Sequence, residues 1–271
     1  MERGLGALMR AILVALLLAL PSLLLPGQRW ADAPLAELLA LSAAIFTFLE
    51  YGATAPSLVE FRGAAPVNRL RFITLFVLVL AVTLLFRHSV APGAVTGLVA
   101  QAAQALRPWA DLPVASLLPA SLGAIPIDLR EEMALAAALS FGLMAVLIVH
   151  MLAAIWLAPW SAPRNFNLWI NLPLFTATRL APASALYRSA GLSLLGALCF
   201  PVFAPLAVDM LVPIVDPHAF NDPQTTIWAI TLWAFIPANL LMRATALLRV
   251  ARYLGRGDAP RAWSDWFVPG A

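Results

Sequence analysis

An ionisable side chain inside a long apolar run is expensive to keep in a bilayer, so such residues are the first candidates for chemistry. Glu50, His150 and Arg243 are of this kind, and Asn239 stands one helical turn before Arg243. At about 1.5 Å of rise per helical residue, all three lie roughly 25 Å from the starts of their runs. A carboxylate, an imidazole and a guanidinium at one level predict a polar cluster. In it Arg243 pairs with Glu50, and His150 titrates beside them. The competing reading is three separate residues at an interface, since a long side chain at that depth snorkels to the headgroups.

Prolines are the second candidates. Pro201 and Pro205 stand four residues apart in one apolar run, and Pro237 interrupts the next. Each removes a backbone N–H and frees a carbonyl, which predicts helix kinks. Adjacent broken helices coordinate substrate in transporters. Proline is also tolerated in membrane helices with no such role.

Other chemistries lack their residues. Cys199 is the single cysteine, so a disulfide within the chain is impossible. His88, His150 and His218 are far apart, and no metal or other cofactor is expected. Phosphate-loop, HExxH and Gly-x-Ser-x-Gly patterns are missing, so no motif speaks for an enzyme. The arginines are scattered through loops, which excludes a nucleic-acid face.

The elements that must position these residues follow from composition. Of the 271 residues, 62% are hydrophobic and 11% charged, where a soluble domain carries about 25% charged residues. A bilayer core of about 30 Å needs roughly 20 apolar residues per helix. Six runs qualify, at about residues 5–25, 34–51, 70–86, 133–157, 189–212 and 227–248. The expectation is a single all-α domain, a polytopic bundle of six transmembrane helices. All 17 basic residues are arginine. Arg3, Arg10, Arg62, Arg69, Arg71, Arg164, Arg179, Arg188, Arg249 and Arg252 fall on one side of such a bundle. By the positive-inside rule both termini are cytoplasmic. The Ala-, Leu- and arginine-rich composition suits a bacterial inner membrane.

Two loops are more than turns. In the long outer loop after the third span, residues 94–106 read as an interfacial helix, with Val95, Leu98, Val99, Ala102 and Leu106 on one side. In the inner loop, Arg164 to Pro173 alternates amide and apolar residues around Trp169, which fits a headgroup-level anchor or a docking surface. Small residues at four-residue spacing predict helix packing faces at Ala7, Ala11, Ala15 and Ala19, at Ala134, Ala138 and Gly142, and at Ser189, Ser193 and Ala197.

The partners expected are the lipid bilayer and other membrane-protein subunits. The leading functional expectation is a non-enzymatic accessory or assembly subunit of a membrane complex. A small transporter using the kinked fifth and sixth helices is the alternative, and an intramembrane enzyme the second alternative. One rival reading concerns the first run, which resembles a signal peptide with a small-x-small site at Ala31-Asp32-Ala33. Its length and the following Pro34 favour retention. The intact mass of the chain isolated from membranes is therefore expected to include residues 1–33; a mass short by that segment would leave five spans.

Overall fold

A computed structural model of the chain describes residues 2–27, 34–54, 57–63, 67–110, 127–157, 168–177, 183–211 and 222–255. Among these there is no strand. The helices are α1 (Glu2–Leu24), α2 (Pro34–Gly52), α3 (Val67–Val90), α4 (Ala94–Ala105), α5 (Arg107–Ala110), α6 (Ile127–Leu157), α7 (Leu168–Asn171), α8 (Pro173–Ala177), α9 (Ala183–Leu211) and α10 (Pro223–Gly255).

Five stretches among the described residues are long and apolar enough to cross a membrane: Arg3–Leu24, Val67–Val90, Leu129–Ala154, Ala183–Val208 and Pro223–Arg252. The chain is thus an all-helical membrane protein. These five match the first, third, fourth, fifth and sixth expected runs. The second run forms α2, a helix of 19 residues packed along α1. The helices overrun the apolar limits that predicted them. The third run, read as residues 70–86, belongs to a helix of 24 residues. Arg69, Arg87 and His88 flank that run and lie outside its hydropathy limits, yet their backbone continues the same helix.

The long helices pack in a chain of neighbours. α1 lies on α2 and α3, α3 on α6 and α10, and α6 on α10, while α9 packs chiefly against α10. Where small residues were expected to let helices approach, Ala7, Ala11 and Ala19 of α1 and Ala138 of α6 are buried. Gly142 meets Leu106 so closely that a Cβ there would stand 2.7 Å from a leucine methyl. That contact seats α4 on α6. The short helix exists where the loop pattern placed it. Thr96 and Ala103 are buried, whereas Val95 and Leu98 are exposed. Thr96 turns inward because its hydroxyl is bonded: Oγ1 accepts from the Gly93 N–H at 2.8 Å and lies 3.0 Å from Nδ1 of His88.

The two helices expected to be kinked, α9 and α10, run on through their prolines. In α9 the carbonyl of Pro201 would receive the N–H of residue 205, but residue 205 is proline and has none. The indole Nε1–H of Trp233 on α10 donates to that carbonyl at 3.0 Å. Trp233 is itself held edge-on against Phe141, with ring centroids 4.9 Å apart. A proline that frees an acceptor is thus matched by a donor on the adjacent helix. Replacing Trp233 with Phe keeps the ring and removes the donor. A loss of about 1–3 kcal/mol is expected, the cost of a buried carbonyl left unpaired, measured by denaturant or thermal unfolding in detergent micelles.

Candidate functional site

The polar residues that the structure brings together lie at the end of the bundle carrying the N-terminus of α1. Their centre is Arg243 on α10. Its guanidinium meets the carboxylate of Glu60 fork to fork: Nε to Oε2 at 2.6 Å and Nη2 to Oε1 at 2.8 Å. Two parallel charge-assisted bonds of this kind fix orientation as well as proximity. Nη1 donates to Ser193 Oγ at 2.7 Å and to Ser189 Oγ at 3.2 Å. Ser189 and Ser193 sit one turn apart on α9, so their hydroxyls fall on one face. The sequence pattern marked them as packing residues. They pack, and they also receive the arginine. Glu60 is 8% exposed and Arg243 23%, so the pair is largely removed from solvent.

Glu60 belongs to the loop between α2 and α3. That loop folds back beneath the bundle, and its buried polar groups find partners. Asn68 Nδ2 donates to the Glu60 carbonyl at 2.9 Å and to the Tyr51 hydroxyl at 3.2 Å. The Phe61 N–H donates to the Asn171 carbonyl at 2.7 Å, and the Gly63 N–H to Asn171 Oδ1 at 2.8 Å. A Cβ on Gly63 would lie 3.3 Å from that oxygen, so glycine gives the amide its approach. Phe61 has φ +58°, a left-handed conformation that strains a bulky residue by about 1–2 kcal/mol. It is held because its ring is 1% exposed, packed in a core with Met151, Leu172, Leu186 and Met242.

Glu50, expected beside Arg243, has other work. Its carboxylate accepts the backbone N–H groups of Ser57, Leu58 and Val59 at 3.0–3.2 Å, together with the Ser57 hydroxyl. It thereby caps the start of the same loop. Arg62 closes the turn from the other side, donating from Nη1 to the carbonyls of Glu50 at 2.6 Å and Ala53 at 2.7 Å. These are carbonyls at the C-terminus of α2, which have no partner within the helix.

The four residues singled out from sequence therefore do not form one cluster. Arg243 is engaged with Glu60, and Glu50 with the loop backbone. His150 is exposed on α6, next in sequence to the buried Met151. Asn239 is half-buried one turn before Arg243 and outside the ion-pair contacts. Glu60 was missed because it lies in a loop rather than in an apolar run. Its one sequence signal is a lone carboxylate followed by an aromatic residue between two spans. Of the amide-rich inner loop, expected as a headgroup-level anchor or a docking surface, Asn171 meets this chain's own α2–α3 loop; residues 164–167 lie outside the described ones.

Chemically the arrangement is a lock. Both carboxylate oxygens of Glu60 are engaged by one guanidinium. Among the described residues, no group of three His, Cys, Asp or Glu side chains can hold a metal. Comparison with protein-family models, curated proteins and solved structures finds no match.

Glu60→Gln or Arg243→Gln leaves one buried charge without its partner and is expected to cost about 3–5 kcal/mol. The double variant should cost clearly less than the sum. Glu50→Gln and Arg243→Gln share no partner and should add within about 0.5 kcal/mol. Unfolding of the purified variants reads both cycles, and additivity for Glu60 with Arg243 would refute the lock.

Proposed function

We propose that the chain is a non-enzymatic accessory or assembly subunit of a bacterial inner-membrane complex. In this reading it has six spans, α2 included, and both termini are cytoplasmic. One observation carries it: α9 is fastened to the bundle on one side and left apolar and open on the other. Only 11% of its spanning window is buried, against 33–44% for the other four candidate spans. Leu192, Leu195, Leu198, Phe203, Leu206 and Met210 are exposed along it. The fastening is specific, through Ser189 and Ser193 to Arg243 and through the Pro201 carbonyl to Trp233. A helix held rigidly by one neighbour offers a fixed surface to another subunit.

The same geometry weakens the transporter alternative. Its substrate was to be met by freed carbonyls in the fifth and sixth spans, and the Pro201 carbonyl is taken by Trp233. The enzyme alternative loses ground too, because Glu50, His150 and Arg243 do not meet.

Photocrosslinking from Leu195 and Leu198, in membranes of the native host, tests the proposal. A discrete protein adduct is expected at both positions. Lipid adducts alone, together with elution free of other proteins in mild detergent, would overturn it.

A further inference from the structure

Three arginines gather where α1 and α2 meet, apart from the Glu60–Arg243 lock. Arg10 places its guanidinium 4.8 Å over the ring of Tyr51, and its Nη1 donates to the Gly6 carbonyl at 2.7 Å. A Cβ on residue 6 would stand 3.0 Å from that nitrogen, so Gly6 makes room for the fold-back. Arg62 brackets the same tyrosine through the carbonyls of Glu50 and Ala53. Arg3 stands two turns before Arg10, on the side of α1 that buries Ala7.

Glu50, the described acid whose field reaches Arg62, is already occupied. The Glu50 carboxylate accepts from Ser57, Leu58 and Val59 and gives the arginines only its long-range field. Burial, and next the charge of Arg3, hold the Arg62 guanidinium below its ordinary value. Among the described residues, these three like charges are offset chiefly by the long-range field of Glu50, an arrangement that an external anion relieves. The surroundings say which kind of anion. Leu5, Leu8, Met9, Leu49 and Leu58 are exposed around the arginines. A small aqueous anion would gain nothing from them, whereas an amphiphile covers them with its chains.

We propose that Arg3, Arg10 and Arg62 form a site for the phosphodiester headgroup of an anionic phospholipid, its acyl chains lying along the exposed apolar sides of α1 and α2. Tyr51 and the Glu50 carbonyl set the spacing of Arg10 and Arg62, so the site is built rather than a diffuse basic rim. The proposal rests on the reading above in requiring that α1 is retained and that this end lies at a membrane interface.

The test is native mass spectrometry of the full chain released from phosphatidylcholine nanodiscs doped with phosphatidylglycerol. The wild type is expected to keep one phosphatidylglycerol in preference to phosphatidylcholine. Arg3→Gln/Arg10→Gln, which leaves the α2 cap by Arg62 intact, should lower that retention roughly thirtyfold. Arg3→Lys/Arg10→Lys should restore most of it. Equal retention by the Gln variant and the wild type, or no headgroup preference, would overturn the site. Inorganic phosphate that displaces the bound lipid would overturn the lipid assignment. The same spectra report the chain mass. A chain lacking α1 would sink this site and the six-span reading together, whereas a full-length chain without lipid sinks the site alone. Unfolding in phosphatidylcholine alone, unchanged in the Gln variant, separates lost binding from lost folding.

Discussion

The pairing of Glu60 with Arg243 is the contact on which the loop end of the bundle depends. It spans a long separation in sequence, from the α2–α3 loop to the last helix, and it recruits α9 through two serines. Four of the donors of Arg243 are used in this way, of the five that a guanidinium carries. Breaking the pair would strand a charge and remove one of two polar fastenings of α9 to α10, the other being Trp233 on the Pro201 carbonyl, while the loop would keep its bonds to Asn68 and Asn171. The hydrophobic effect does not hold helices together inside lipid, so association there rests on packing and on such polar contacts. A buried ion pair is otherwise weak evidence of stability, since desolvation offsets much of its attraction. Here its clearest contribution is register. It selects one docking of the loop beneath the bundle, and the strained Phe61 backbone is tolerated because that docking is set elsewhere.

Pro205 obeys the same constraint. A bilayer supplies no water to satisfy a freed carbonyl. Pro205 withdraws a donor from Pro201, and Trp233 supplies one from the neighbouring helix. The indole reaches that carbonyl because Phe141 fixes its ring from α6. What looks in sequence like a weakened helix is, in three dimensions, a bond between α9 and α10.

Apolar length and the small-residue faces made the spans and several of their contacts legible. The short helix after α3 was legible to within one residue. The site was legible only in part. Arg243 and Glu50 were identified as residues whose cost demanded partners, and both have them. Which partners could not be read, because shared depth along three helices says nothing about their rotation or about loops that fold back. Glu60 lies in such a loop, and its partner is 183 residues away. His150 shows the converse: its place in an apolar run suggested a buried partner, but its side chain is exposed. The serines that receive Arg243 were seen as small before they were seen as hydroxyls, since packing and hydrogen bonding select the same residue type there.

A chain whose basic residues are all arginine can owe that to composition, yet the structure uses what sets arginine apart from lysine. Arg243 needs a planar fork to hold both oxygens of Glu60 while reaching two hydroxyls. Arg62 bridges two carbonyls with one nitrogen, and Arg87 caps the end of α1 by donating to the Leu24 carbonyl at 2.6 Å. Arg10 and Arg252 lie over aromatic rings at 4.8 and 4.7 Å. An ammonium is a compact, strongly hydrated point charge, costlier to dehydrate and without a face to stack. Each of these contacts sits where dehydration is hardest to avoid, at helix ends and loop folds near the limits of the spans. The arginines near the limits of the spans therefore close the backbone by their geometry as well as carrying charge.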